Sequence, residues 1–239
     1  MSIDEGIVQD WYEASYLKGG FASQRNYPNE EFCRFMGRRF FSIPYPERRQ
    51  KKILEIGCGS GANLWMVAKE GFSASGIDLS KAAIELCSLR FKNMNLEADL
   101  KVGSMTELPY EERTFDAIAD IFSAYCLGLE DFVTCLKSVK NCLKIGGAFF
   151  SYTPSKNSDA FTYPGTSRLL DASTLDGISR EDSPFFGNSY PFRFDHPREM
   201  RAMLEAEGFR VEYLETISRT YNMQNEKFEF LVVEAIRTN

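Results

Sequence analysis

The 239-residue chain lacks the features that would assign it to a membrane or to secretion. It has no run of about 18 consecutive apolar residues, and residues 1–5 contain no basic stretch that leads into an apolar one. The six cysteines form no C-x-x-C pair, and several lie within apolar runs, as is typical of reduced thiols inside a cell. The sequence therefore predicts a cytoplasmic protein with no membrane partner.

Positive charge is also scarce, because 28 Lys and Arg stand against 34 Asp and Glu and give a net charge of −6. Nucleic-acid binding rewards clustered Lys and Arg, and the one basic run, at residues 48–52, is interpreted first as the solvated entrance to a strand. A chain of this length buries roughly 70% of its unfolded surface. We therefore expect one compact domain that needs neither disulfides nor a metal to fold, and no nucleic-acid partner.

From residue 51 onward, short apolar runs alternate with amphipathic ones, which is the pattern of strands and helices in a parallel sheet. Five strands are predicted at 53–56, 73–78, 100–102, 115–121 and 148–153, with helices after the first, the second and the fourth. Gly146 and Gly147 are predicted to end the helix before the fifth strand. A further helix ends at Gly208, before an antiparallel pair at 209–216 and 228–236.

The fold class that follows is α/β, with a Rossmann-like, seven-stranded, mostly parallel sheet, helices on both faces and a C-terminal antiparallel strand pair. Two segments lie outside this alternation. Residues 1–50 are rich in aromatics and contain a predicted helix at 29–41, so we expect an N-terminal helical cap. Residues 155–193 form a long aromatic connection with three arginines, Arg168, Arg180 and Arg193, which predicts an ordered lid inserted in the domain that spans 51–239.

Three alternate glycines, Gly57, Gly59 and Gly61, follow the first predicted strand. They allow a sharp turn and let a ligand lie against bare backbone at the start of a helix. The spacing Gly57-x-Gly59-x-x-Ala62 also fits the form that dinucleotide-binding proteins use. Asp78, at the end of the next strand, would accept hydrogen bonds from ribose hydroxyls under either interpretation. A dinucleotide oxidoreductase thus stays open at this point.

Glu55 and two downstream blocks separate these interpretations. The blocks are GSMTELPY at 103–110 followed by TFDAI at 114–118, and LKIGG at 143–147. In order, spacing and strand placement, they and the glycine turn resemble the class I S-adenosylmethionine-dependent methyltransferases. The resemblance covers about residues 50–154. It implies that the chain is an enzyme with S-adenosyl-L-methionine as cofactor, and that residues 51–239 are a methyltransferase domain with a substrate lid at about 155–193.

The resemblance also implies roles for individual residues. Gly57, Gly59 and Gly61 would line the methionine part of the cofactor, with Glu55 anchoring that wall. Asp78 would hold the ribose hydroxyls.

The resemblance also implies which residues lie at the adenine and at the reacting methyl group. Leu79 would pack on the adenine, and Ser104 and Met105 would flank its edge, although the Asp that commonly stands there is missing in this sequence. Asp120 and Ile121 would face the methionine amino group and the methyl.

Other family members often close an N-terminal segment over the cofactor. This makes Tyr16 and Arg25 candidates to meet the methionine carboxylate, and the alternative is that the segment only covers the sheet edge.

Methyl transfer from a sulfonium needs mainly alignment and exclusion of water, with a base only where the nucleophile must lose a proton. His196, the only histidine, follows the predicted lid and is a candidate general base or a helix cap. Tyr125 and Tyr152 follow the fourth strand and end the fifth, where this fold contacts substrate, so both are candidate catalytic residues and also plausible core aromatics.

We predict methyl transfer to an O or N atom of a small-molecule acceptor, such as a sugar or secondary metabolite, by a monomer or homodimer. The three lid arginines leave an anionic or hydroxyl-rich acceptor open. The chain has no Asn/Asp-Pro-Pro-aromatic loop and no Pro-Cys pair, which argues against nucleic-acid methylation. A protein substrate, a non-catalytic S-adenosylmethionine-binding module and a dinucleotide oxidoreductase are the alternatives.

Overall fold

The computed structural model describes residues 5–239, so the first four positions of the predicted cap lie outside the described residues. The helices are α1 (Glu5–Gly19), α2 (Glu30–Arg39), α3 (Tyr45–Arg48), α4 (Leu64–Lys69), α5 (Lys81–Met94), α6 (Leu129–Cys142), α7 (Asp159–Thr162) and α8 (Pro197–Ala206). The strands are β1 (Lys52–Ile56), β2 (Ser73–Asp78), β3 (Asp99–Val102), β4 (Phe115–Ile121), β5 (Leu143–Pro154), β6 (Thr174–Leu175), β7 (Phe192–Arg193), β8 (Phe209–Tyr221) and β9 (Glu226–Arg237).

A seven-stranded sheet in the order β3-β2-β1-β4-β5-β9-β8 is the frame of the molecule. Strands β1 to β5 pair in parallel, and β9 pairs antiparallel with both β5 and β8. The order changes direction at β1, where the strands on either side are β2 and β4. Ligands of open α/β sheets bind at the carboxyl ends of the strands at such a point. The predicted fold class is confirmed.

The sheet is buried on both faces, as parallel sheets are. Along β9, Phe228, Phe230 and Val232 belong to one core cluster, while the alternate residues Leu231 and Val233 belong to the other. The first cluster takes in side chains of α2, α4 and α5, and the second takes in those of α6 and α8. No helix within residues 5–239 is long and apolar enough to cross a membrane.

The fifth strand begins earlier than the sequence predicts. Helix α6 ends at Cys142, and the next residue, Leu143, is already extended and pairs with Phe115 of β4. The pairing then shifts, because the next paired residues are Ala148 and Ala117. The chain advances five residues along β5 between these two pairs but only two residues along β4. Gly146, with φ +78°, lies in this irregularity. The prediction that the glycine pair ends the helix is therefore wrong, since the glycines accommodate a bulge within the strand.

Helix α2 attaches the N-terminal segment to the sheet. The Asn29 side chain accepts hydrogen bonds from the backbone N–H groups of Glu31 and Phe32, which caps the helix where the sequence predicts its start. Phe35 is fully buried and stacks on Phe150 of β5, with ring centroids 4.9 Å apart. The segment thus shares the core of the sheet, and its division from residues 51–239 as a separate cap stays a prediction.

The predicted lid has little regular structure, but aromatic side chains pack it onto the sheet. Helix α7 and the two-stranded sheet β6-β7 are its regular elements. Phe185 stacks on Phe122, 5.0 Å away between ring centroids, and Phe192 contacts Tyr125 at 4.4 Å. The segment therefore covers the carboxyl end of β4.

Candidate functional site

The glycine turn after β1 needs glycine for both conformation and space. Gly57 has φ +66° and Gly59 has φ +52°, which is the left-handed region that side chains disfavour. A Cβ on Gly57 would lie 2.3 Å from the Ser123 Cβ, and one on Gly59 would lie 2.6 Å from the Tyr16 hydroxyl. Ser123 follows β4 and Tyr16 belongs to α1, so the turn brings three distant parts of the chain together.

Asp78 is held at the end of β2 by backbone donors. One carboxylate oxygen accepts from the Gly59 N–H at 2.8 Å, and the other accepts from the Ser80 N–H at 2.9 Å. Burial raises the pKa of this carboxyl despite those two hydrogen bonds. Each oxygen keeps a lone pair, so Asp78 can still accept from a ligand's hydroxyls.

Glu55 is a buried carboxyl with one unsatisfied oxygen. Its Oε1 accepts from the Asn63 side-chain amide at 2.6 Å, whereas its Oε2 is buried without a hydrogen-bond partner. Burial raises the pKa of Glu55 to about 8. Asn63 also accepts from the Asn29 N–H at 2.8 Å, which ties the glycine turn to the start of α2. A buried acceptor that lacks a donor is costly, and a ligand cation would satisfy it.

Two adjoining cavities open beside this turn. The larger, of about 680 Å³, is lined by Glu55, Gly57 and Gly59, and it extends along the lid. The smaller, of about 80 Å³, is lined by Asp78, Leu79 and Met105. Side chains of Tyr12, Tyr16 and Phe122 and the backbone of Gly57 border both cavities. The smaller one has room for roughly two or three waters, so an adenine ring enters only if a wall moves.

Helix α1 forms the outer wall of the smaller cavity, and polar contacts fix it there. Glu13 accepts from the Ser80 hydroxyl at 2.5 Å and from the Ala82 N–H at 3.1 Å, at the start of α5. Gln9 donates to the Leu79 carbonyl at 3.3 Å. An acidic side chain at a helix N-terminus is stabilising, so α1 lies across the end of β2 by specific contacts.

Three phenol hydroxyls form a closed triangle in the wall of the larger cavity. Tyr12 lies 2.7 Å from Tyr125 and 2.9 Å from Tyr190, and Tyr125 lies 2.6 Å from Tyr190, oxygen to oxygen. Burial raises the pKa of Tyr190 to about 12 and holds those of Tyr12 and Tyr125 well above their usual value. All three therefore stay neutral, and they join α1, the turn after β4 and the lid.

Most predicted site residues meet at these cavities. Those that line one or both are Tyr16, Arg25, Glu55, Gly57, Gly59, Asp78, Leu79, Met105, Ile121, Tyr125 and Tyr152. They come from α1, the segment after it, and the carboxyl ends of β1, β2, β4 and β5.

Four predicted site residues are not among the lining residues: Gly61, Ser104, Asp120 and His196. Gly61 faces α5, where a Cβ would lie 2.6 Å from the Cys87 sulfur. Asp120 is fully buried and accepts from the Ser123 hydroxyl, from two backbone N–H groups of the turn after β4 and from the Ser151 hydroxyl. The hydrogen bonds to Ser123 and Ala124 stabilise the turn after β4. The Ser104 hydroxyl accepts from the Thr106 N–H at 3.0 Å, within its own loop.

His196 is also absent from the cavities. It is the N-cap of α8, where Nδ1 accepts from the Arg198 N–H at 3.2 Å. The capping interpretation fits this position, and the general-base prediction does not. Within residues 5–239, no group of three or more His, Cys, Asp and Glu side chains is placed to hold a metal ion.

The lid arginines have structural partners instead of facing a ligand. Arg168 pairs with Asp176 at 2.9 Å, and Arg180 pairs with Glu226 at 2.5 Å. Arg193 is fully buried, pairs with Asp195 at 3.0 Å and donates to the carbonyls of Ala124 and Leu127. None of the three lines either cavity, so the anionic acceptor that the sequence leaves open would need a different cationic side chain.

Several lining residues escaped the sequence analysis. Asn63 lies directly before α4 and could have been suspected as part of the glycine turn. Tyr12 and Tyr190 are aromatics of segments that the sequence marks as unusual, but nothing in either segment indicates that their hydroxyls meet. Arg219, on β8, lines the larger cavity, and no local signal distinguishes it from other strand arginines.

Comparison with known proteins finds a matching domain within this chain. A family model described as a methyltransferase domain matches residues 53–147. The ubiquinone biosynthesis O-methyltransferase of Coxiella burnetii (strain Dugway 5J108-111) is 24% identical over 165 residues, which are 67% of this chain and 64% of that protein. The chain spans between about a third and two thirds of the length of the first curated relatives that it matches.

Solved structures share the fold. A structure described as a SAM-dependent methyltransferase from Methanosarcina mazei has a TM-score of 0.64 at 21% identity, covering 78% of this chain and 92% of that one. The 1,6-didemethyltoxoflavin-N1-methyltransferase of Burkholderia thailandensis has a TM-score of 0.65 at 15% identity, covering 98% and 89%. Because the matched domain and the fold agree with the order of the sequence blocks, residues 53–147 form a methyltransferase domain of the class I S-adenosylmethionine-dependent type.

Proposed function

We propose that this chain transfers the methyl group of S-adenosyl-L-methionine to an O or N atom of a small molecule held in the larger cavity. The observation that carries the proposal is the continuity of the two cavities at Gly57, Tyr16 and Phe122. A cofactor that spans from Asp78 to Glu55 would present its reactive end to the space beneath the lid.

The residues of this chain fit the cofactor. The unpartnered Oε2 of Glu55 suits an ammonium group, and the bare backbone of Gly57 and Gly59 leaves room for a ligand chain. Asp78 would accept from ribose hydroxyls, while Leu79 and Met105 would pack on the adenine. When bound, S-adenosylmethionine supplies a methyl carbon activated by a positively charged sulfur.

Tyr16 and Arg25, which line the same wall, are proposed to bind the methionine carboxylate. Ile121, at the end of β4, would contact the reacting end.

The lining residues indicate catalysis by alignment and by exclusion of water. Glu55 is the sole carboxylate among the residues that line the larger cavity, and no histidine lines it. Tyr125 and the neighbouring Tyr152 have pKa values raised by burial, so their hydroxyls orient an acceptor and do not deprotonate it. The proposed acceptor is therefore nucleophilic by itself, as an amine or as an oxygen that ionises in solution.

The test is transfer of label from S-adenosyl-L-[methyl-¹⁴C]methionine. The purified chain is incubated with mixtures of phenols, hydroxyl-bearing aromatic acids and aromatic amines, and separately with a protein extract. We expect label in the small-molecule fraction, strongly reduced by Asp78→Ala and unchanged by Asp176→Ala, which alters only a lid ion pair. Label confined to protein would contradict the small-molecule acceptor, and binding of the cofactor without any transfer would indicate a non-catalytic module.

A further inference from the structure

The wall of the larger cavity is unusually aromatic for a site with open ends. Eleven of its lining side chains are aromatic: Trp11, Tyr12, Tyr16, Phe122, Tyr125, Tyr152, Phe185, Phe186, Tyr190, Tyr221 and Phe230. Some form stacked pairs, such as Tyr152 with Phe230 at 4.8 Å and Phe122 with Phe185 at 5.0 Å between ring centroids. Flat aromatic rings pack well against such faces and edges. The wall therefore offers flat faces on which an unsaturated ring of the ligand can stack.

Two arginines of the described residues line the same cavity and take no part in an ion pair. Within residues 5–239, the guanidinium groups of Arg25 and Arg219 form no hydrogen bond and no ion pair with the protein. By contrast, the three lid arginines all pair with carboxylates. Glu55, the one acid among the lining residues, has its pKa raised to about 8 by burial. At neutral pH the cavity therefore carries a net positive charge.

The two arginines differ in position. The Arg25 guanidinium acts to lower the pKa of Glu55, which puts Arg25 toward the glycine turn. Arg219 lies on β8, in register with Phe228 of β9. Its charge lowers the pKa of Tyr152 more than the charge of Arg25 does. Tyr152 ends β5 and stacks on Phe230. Arg219 therefore borders the aromatic end of the cavity, away from the part assigned to the cofactor.

Resting on the proposed function, we propose that the methyl acceptor is a flat aromatic molecule that carries an anionic oxygen group, and that Arg219 binds this group. The aromatic pair Tyr152–Phe230 packs on the acceptor ring, and Arg25 is left for the carboxylate of the cofactor. A guanidinium binds a carboxylate or phosphate through two parallel N–H donors, and it gains from the low dielectric of an aromatic wall. Arg219 is thus a specificity-determining residue for the acceptor.

The experiment measures binding of small probes in the presence of S-adenosylhomocysteine. Trp11 lines the cavity and Trp65 is the other tryptophan, so the fluorescence of a Trp65→Phe protein monitors the site. The probes are benzoate, its neutral amide benzamide, the non-aromatic cyclohexanecarboxylate, and phenyl phosphate. We expect benzoate or phenyl phosphate to bind at least about tenfold more tightly than benzamide, and cyclohexanecarboxylate to bind more weakly than benzoate. The comparison of benzoate with phenyl phosphate tells a carboxylate site from a phosphate site.

Substitutions assign the effect to Arg219. Arg219→Gln is expected to lose the preference for the anion by about 10- to 100-fold, and Arg219→Lys to keep part of it. Arg210→Gln is the matched control, because Arg210 lies on the same strand, is exposed and pairs with Glu212 outside the cavity. Thermal melting verifies that each variant is folded, and the Lys variant carries the test if the Gln variant is not.

Two results would overturn the proposal. One is equal binding of benzamide and the anions, or no binding of any aromatic acid. The other is an Arg219→Gln variant that loses S-adenosylhomocysteine and benzoate to the same degree, since Arg219 would then serve the cofactor. Anion binding that depends on Arg219, together with absence of methyl transfer to any acceptor, would reject the proposed function and leave the anion site standing.

Discussion

At the scale of residues, the site depends on two carboxyls whose surroundings differ, the half-buried Asp78 and the buried Glu55. Asp78 has a backbone N–H donor on each oxygen, whereas Glu55 has a side-chain amide on one oxygen and no partner on the other. Asp78 is therefore ready to accept from neutral hydroxyls. Glu55 is poised to change its protonation state when a cation arrives, because burial, the largest influence on this carboxyl, raises its pKa to about 8.

This difference predicts a pH dependence for cofactor binding. A ligand ammonium beside Glu55 favours the carboxylate, so binding at pH 7 should release a proton and the affinity should rise from pH 6 to 8. The rise is limited to about tenfold per pH unit and should end near the pKa of the free carboxyl, about 8. Calorimetric titration with S-adenosylhomocysteine in two buffers of different ionisation enthalpy measures the proton release.

Glu55→Gln is the control, because it keeps the hydrogen-bonding shape and cannot ionise. We expect weaker binding with little dependence on pH in this range. Asp78, Asp120 and Arg25 are the charged groups that shift the pKa of Glu55, and all three remain in the variant. The same pH profile in both proteins would show that another group binds the proton.

The glycines, Asp78 and Glu55 could be predicted because a strand, a turn and a helix within one stretch of sequence fix their positions. Arg219 could not, since it reaches the cavity only when β8 is placed beside β9 at the sheet edge. The Tyr12–Tyr190 contact joins residues 178 apart in sequence. For His196 the sequence left a general base and a helix cap open, and the local geometry places it as the cap.

At the scale of elements, the lid is held at its C-terminal end by one buried ion pair. Arg193 and Asp195 are both almost fully buried, and Asp195 also accepts from the Thr153 hydroxyl at 3.0 Å. The Arg193 guanidinium lies 3.6 Å from the ring centroid of Phe132 on α6. This cluster fastens the lid to the turn after β4 and to β5.

Asp195→Ala is therefore expected to destabilise the protein by about 3 to 5 kcal/mol, because it leaves the Arg193 charge buried without its counter-ion. For a chain of this size, the fall in Tm should be roughly 2 to 4 °C per kcal/mol.

Asp176→Ala in the same lid is the matched control. Its partner Arg168 has a side chain 84% exposed, so the loss should stay within about 1 kcal/mol. Similar melting temperatures for the two variants would refute the anchoring role of Asp195.

The elements themselves were largely predictable from hydrophobic period and turn residues. Strand β4 falls where the sequence predicts it, and the antiparallel pair β8-β9 forms as expected although both strands are longer. The start of β5 was not predictable, because glycines after a helix usually mark its end, and only pairing with β4 shows that they lie in a bulge.

At the scale of the whole molecule, the cavities exist only where three parts of the chain meet. The sheet supplies the strand ends and the glycine turn, α1 closes the side of Asp78, and the lid closes the side of Tyr125. The tyrosine triangle joins these three parts at one point. Such an enclosure suits a reaction whose rate depends on alignment and on keeping water out.

Cofactor binding is tested most directly by calorimetric titration of the purified chain with S-adenosylhomocysteine and, separately, with NADH. We predict that S-adenosylhomocysteine binds, that Asp78→Ala weakens this binding by about 10- to 100-fold through loss of charge-assisted hydrogen bonds, and that NADH does not bind. Binding of NADH with no binding of S-adenosylhomocysteine, or an affinity unchanged by Asp78→Ala, would contradict this prediction.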